Sequence, residues 1–253
     1  MQPKPKTQRE REKITGGVFL LAAFSFIAAF ILDFNFVTPY TSVQEDLSYL
    51  NEHPDRQSTS ASAWLATGSL TLLALPFYLS VSRRKLAWLA YLNGLLLLAT
   101  GAGFIMMGKT GLNMHHLVLE MAPEIRGGLT ESERLTVLEL FNEEQRFRRI
   151  GSFGMGCFAL GLGLSAFRLK HFPGLAAVLL LVGGPMLAFF NVRDPEHIGK
   201  TVAVAGILSG IMIYSARLIT RGLNRRGETD ANQSHDPTAG PAPVQENGRE
   251  QKS

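Results

Sequence analysis

The chain has 253 residues, 46% of them apolar and 18% charged, with a net charge of +4 and a pI near 9.3. Its single cysteine, Cys157, excludes an internal disulfide and any cysteine-based metal cluster. The mean hydropathy of +0.10 hides a segregation foreign to soluble domains: charges are missing for about 20 residues at a time, what a helix needs to cross ~30 Å of hydrocarbon.

Residues 1–13 form a basic segment that ends at Lys13. The first apolar span, 14–32, is too long for a cleaved leader and has no small-x-small site before the polar region after Asp33, so it reads as an uncleaved signal anchor. A polar segment, 33–60, follows, with Val43, Leu47 and Leu50 at the spacing of a short surface helix. Spans 61–81 and 86–108 are joined by the tight basic turn Ser82-Arg83-Arg84-Lys85 and make an antiparallel hairpin.

The longest connection, 109–149, exceeds what a membrane hairpin needs and predicts structure of its own. In its first half Met114, Leu117, Met121 and Ile125 make one helical stripe and Asn113, His116, Glu120 and Glu124 the opposite one, an interfacial amphipathic pattern. In its second half Thr130 and Glu133 fit a capping box that opens a helix running into span 150–167. Glu139, Glu143 and Glu144 stand at helical spacing to Arg146, Arg148 and Arg149 and predict ion pairs along that helix.

A second basic turn, with Arg168, Lys170 and His171, leads into span 174–192, and a final span covers 201–216. Residues 222–253 are polar and contain no aromatics; they read as a disordered tail, with a docking peptide as the alternative.

Six spans put both termini on one side. With that side cytoplasmic, 16 of the 25 Lys and Arg lie on inner segments, and the outer segments hold nine basic against fourteen acidic residues. The basic pI is therefore a topogenic signal, and nucleic acid is not an expected partner. The fold class expected is an all-α polytopic membrane protein: a basic N-terminus (1–13), a six-helix domain (14–221) with outer loops 33–60 and 109–149, and a cytoplasmic tail (222–253). It belongs in the cell membrane, the inner one if the source is a Gram-negative bacterium.

Chemistry-bearing residues are sparse within the spans, where ionisable groups are kept mainly for function. Asp33 and Asn35 stand at one span end, Asn93 in the third span, Asn191 at the end of the fifth and Tyr214 in the sixth. Pro76 and Pro185 interrupt the middle helix of each three-helix half; matched breaks of this kind mark transport sites in inverted repeats. Asn93, Pro76 and Pro185 thus outline a solute pathway, the alternative being two ordinary kinks.

On the outer side, His53, His115, His116, His197 and Glu120 are the candidate metal ligands. His116 and Glu120 project from one helix face and offer two ligands to a divalent ion, whose bound water would attack a substrate at the lipid boundary. The alternative is ordinary polar residues facing water and headgroups, since no complete signature such as His-Glu-x-x-His is present. No other cofactor is expected. Gly206 and Gly210 form a GxxxG pair and Ser152 and Gly156 a second small-xxx-small pair, both suited to close helix packing within a protomer or between copies.

No motif is specific to one family. The leading expectation is a membrane scaffold, sensor or accessory subunit with the bilayer and a membrane-protein partner or second copy as contacts. The alternatives are an outer-face metal-dependent hydrolase or lipid-modifying enzyme, and a transporter of a neutral or amphipathic solute.

Overall fold

The computed structural model describes residues 5–34, 53–82, 87–120, 130–168, 174–193 and 198–234. Among them are six α-helices and no strands: α1 (Pro5–Phe34), α2 (Pro54–Ser82), α3 (Ala87–Glu120), α4 (Glu131–Arg168), α5 (Gly174–Arg193) and α6 (Ile198–Ser234). Four stretches are long and apolar enough to cross a membrane: Glu10–Leu32, Asp55–Ser82, Ala87–Glu120 and Thr201–Arg221; the apolar part of α5, Gly174–Phe189, is shorter. The expected short helix around Val43, Leu47 and Leu50 lies outside the described residues, as do residues 235–253; α6 is helical through Ser234.

Each helix packs along its neighbours in sequence, and α6 returns to pack along α1. The six helices therefore close into a ring whose opposite members barely approach one another. Alternation puts the start of α1 and the end of α6 at one end of the ring, called proximal here. The other end is distal.

Lipid tails are as apolar as leucine, so contact rather than expulsion of water holds such a ring together, and small residues let backbones approach. A Cβ added to Gly184 of α5 would stand 2.6 Å from the Gly156 carbonyl oxygen of α4, and one on Gly156 would stand 2.7 Å from the Gly184 oxygen. Gly103 and Gly151 meet likewise between α3 and α4, Gly68 and Gly101 between α2 and α3, and Gly16 meets the Ser215 carbonyl across the α1–α6 seam.

Aromatic side chains fill the middle. Phe19 of α1 stacks on Phe158 of α4 across the ring at 6.0 Å and meets Tyr78 and Tyr214 edge-on at 6.1 and 6.2 Å. A second, more distal layer joins Phe26, Trp64 and Phe104, with Trp64 to Phe104 at 4.9 Å. Between the layers lies a cavity of about 40 Å³. Its threonine hydroxyls are hydrogen-bonded: Thr67, Thr71 and Thr100 donate to the carbonyls of Ala63, Thr67 and Leu96 at 2.7–2.8 Å, and the Thr67 oxygen also lies 3.0 Å from the Ser25 hydroxyl of α1. The cavity wall is consequently apolar, and such cavities stay dry.

The structure differs from the sequence expectation along the 109–149 connection. No separate interfacial helix begins at Asn113; α3 continues unbroken from the membrane stretch to Glu120. Its 34 residues measure about 51 Å, against ~30 Å of hydrocarbon, so the last turns of α3 project distally alongside the first turns of α4. Met114, expected to face the interface, is buried with Val118 and with Val137 of α4. The cause is Gly108 and Gly111, which let the start of α2 come against α3 at Ala61 and so enclose that face.

The capping box opens α4 as its spacing predicts. The Thr130 N–H donates to Glu133 Oε2 at 2.7 Å, and the Glu133 N–H donates to Thr130 Oγ1 at 3.4 Å. The Thr130 hydroxyl and then its N–H hold the Glu133 carboxyl below the ordinary glutamate value of 4.5. A depressed carboxylate stabilises the fold above its unfolded pKa and loses that contribution as pH falls through the folded value. Hydrogen-exchange protection of the first turn of α4 is therefore expected to hold from neutral pH down to about 4.5 and to fall away below it. Thr130→Ala should lower it about fivefold at pH 7, the effect of a typical cap. Of the expected ion pairs along α4, Glu144–Arg148 forms at 3.1 Å, with both side chains mostly buried.

Candidate functional site

The projecting ends of α3 and α4 enclose an open groove of about 490 Å³. Asn113, His116, Leu117 and Glu120 line it from α3, and Thr136, Glu139, Leu140 and Glu143 from α4. The antiparallel packing of two long helices produces this arrangement. On α3, His116 and Glu120 are one turn apart; on α4, Glu139 and Glu143 are one turn apart. The walls thus carry three carboxylates and an imidazole, with Leu117 and Leu140 between them.

The other metal candidates are distributed differently. His115 is half-buried, with its ring 5.7 Å from that of His116. His53 is exposed just before α2, and His197 lies outside the described residues. Among the described residues no three His, Cys, Asp or Glu side chains converge closely enough to hold a metal ion. Sequence reading assigned Glu139 and Glu143 to arginine pairing and missed their place in the groove. Their i, i+4 spacing, repeating that of His116 and Glu120 on the opposing strand of a helical hairpin, was the available signal.

The second polar locus lies inside the ring. Asn93 is fully buried, and its Nδ2 donates to the Tyr78 hydroxyl oxygen at 2.9 Å. Its Oδ1 has no hydrogen-bond partner and rests directly against Gly161 of α4, in the space a Cβ would fill. Gly161 therefore presents a Cα hydrogen to the amide oxygen, a weak contact common where helices approach closely. The Ser82 and Ser165 hydroxyls lie near that of Tyr78, and Ser82 lies near Tyr214 as well. The role of Tyr78 was not legible in the sequence, because it depends on which face of α2 meets α3.

Pro76 and Pro185 are both exposed on outward faces, on helices that occupy opposite sides of the ring, whereas Asn93 points inward between α2 and α4. The structure does not bring these three residues together. Of the packing glycines, Gly156 sits tight against α5 and Gly210 against Leu180 and Ala176 of the same helix. Gly206 is loose, its nearest neighbour being the Leu179 oxygen at 3.9 Å, and Ser152 is buried on α4.

The fold is that of a helical membrane protein, with an interior filled by aromatic side chains and an acid-walled groove between the ends of α3 and α4. No protein-family model matches the chain, and no curated protein or solved structure matches it.

Proposed function

We propose that this chain is a multi-pass protein of the cell membrane that acts without catalysis, as a scaffold, sensor or accessory subunit. It crosses the bilayer six times with both termini in the cytoplasm. The outward residues of α4 (Ile150, Phe153, Leu164) and α5 (Leu175, Val178, Val182, Phe189) are exposed and apolar, as lipid contact requires, which supports their counting as spans. Exposed Trp88 and Tyr91 at the proximal start of α3 fit an interfacial aromatic belt beside the basic turn that begins at Ser82. Reporter fusions within 83–85 should report a cytoplasmic location; a periplasmic one would overturn the orientation.

One observation carries the non-catalytic reading. The ring interior is packed with aromatics down to a small dry cavity, while the distal groove is open and polar. Contact with another molecule is thus favoured at the projecting ends of α3 and α4. Gentle purification in native lipid is expected to retain a partner, or a second copy, that is lost when Glu139 and Glu143 are both changed to Lys. Monodisperse, partner-free protein under several solubilisation conditions would refute this reading.

A second reading is a metal-dependent hydrolase or lipid-modifying enzyme, in which His116, Glu120, Glu139 and Glu143, which line one groove without converging on a point, would draw together around the ion. On that reading purified protein carries stoichiometric divalent metal, and His116→Ala or Glu120→Ala removes it. Metal-free wild-type protein after purification without chelators would eliminate it.

A further inference from the structure

The void between the two aromatic layers has its cause in the sequence. The inward face of α1 reads Phe19, Ala23, Phe26; on α2, Trp64 and Tyr78 bracket Thr67, Thr71 and Ala74. Rings thus stand at both levels with small side chains between them. Opposite members of the ring barely approach one another, so backbone does not close the gap, and about 40 Å³ is left unfilled. Five of the six helices line this space, and every lining side chain but that of Ala22 is buried. The wall is almost wholly apolar, and the threonine hydroxyls in it already donate to carbonyls. Water held there would find too few polar partners to replace those it leaves. A guest with no hydrogen bonds to lose does better, because atoms along an unfilled wall lack dispersion contacts that it restores. Among lipid tails the same guest must open a space for itself; here the space exists. Size sets the other limit. An apolar cavity of about 150 Å³ takes benzene or xenon. One of about 40 Å³ admits a single heavy atom or a diatomic molecule and excludes a ring.

We propose that this cavity is a binding site for one small apolar molecule, of the size class of xenon or dioxygen, taken up from the surrounding hydrocarbon. Phe19 and Phe158 floor the site, Phe26 and Phe104 roof it, and Ala23, Ala74 and Met155 form its sides. It is independent of whatever occupies the distal groove.

Xenon is the probe, and the sample is the full chain in lipid nanodiscs with isotope-labelled methionine methyl groups, observed by NMR under xenon pressure. Met155 lines the cavity; Met107 is buried but does not line it, and Met106 is exposed on the outside of the ring. The Met155 resonance should shift along a saturating curve as pressure rises. Met106 should report xenon dissolved in lipid, by a shift proportional to pressure, and Met107 should stay in place. A Met155 shift that is absent, or that tracks Met106, would overturn the proposal. Cross-relaxation between the Met155 methyl and water would overturn it too, since the cavity would then be hydrated. That comparison requires no variant. Ala74→Val adds bulk inside the cavity and should abolish the Met155 response; Ala23→Val does the same from α1 should Ala74→Val not fold. An undiminished response in either folded variant would put the xenon elsewhere and remove the site.

Discussion

Changing Gly184 to leucine is expected to force α5 away from α4 and to cost at least about 1–3 kcal/mol, the usual range for overpacking a close-packed interior. The upper end or beyond is expected here, because what the new side chain meets cannot move aside. Its Cβ alone would stand 2.6 Å from the Gly156 carbonyl oxygen and 2.8 Å from the Leu160 backbone nitrogen. Both are backbone atoms of α4 tied into helix hydrogen bonds, so only a shift of a whole helix relieves the overlap. Gly206→Leu is the matched control: it adds the same side chain to the neighbouring helix, where the nearest atom is 3.9 Å away. Thermal unfolding in detergent can be followed through the one thiol, Cys157, which is half-buried on α4 and becomes reactive as the ring opens. The Gly184 variant should unfold well below wild type and the Gly206 variant close to it. Equal midpoints for the two would show that the α4–α5 packing does not hold the ring.

The second large effect is expected at the Asn93–Tyr78 pair. Tyr78→Phe removes the acceptor of the Asn93 amide and should destabilise by about 1–3 kcal/mol, the cost of leaving a buried donor unmet. Asn93→Leu deprives the Tyr78 hydroxyl of one partner but leaves Ser82 and Ser165 nearby to replace it, so its cost should be smaller. The double variant should be more stable than the sum of the single effects requires, since no orphaned amide remains. Strict additivity across the four proteins would mean that the two side chains do not depend on each other.

The helices, four of them long and apolar enough to cross a membrane, are legible in the sequence for a simple physical reason. Lipid forbids unpaired backbone, so a charge-free stretch of sufficient length has one fate. Interactions that depend on which faces meet are a different matter. Met114 has the place of an interfacial residue in the helical stripe, yet Gly108 and Gly111 draw α2 against α3 and it is buried. Glu139 and Glu143 have arginines at helical spacing, yet they line the groove opposite His116 and Glu120. Gly206 and Gly210 look equivalent as a motif, and only Gly210 is in tight contact. In each case the residue type and its spacing were visible, while its partner was set by helix rotation about an axis, which no single helix encodes.

The closed circuit of helices also has a temporal consequence. Among the described residues, every extensive helix–helix seam but one joins segments that leave the ribosome in succession; the exception is the seam where Gly16 and Phe19 of α1 meet Ser215 and Tyr214 of α6. The first helix must therefore wait in the bilayer with that flank uncovered until nearly the whole polypeptide has been made. A nascent chain halted before α6 would expose this flank to lipid and to membrane quality-control proteases. The last helix to be synthesised is thus the one whose arrival completes assembly.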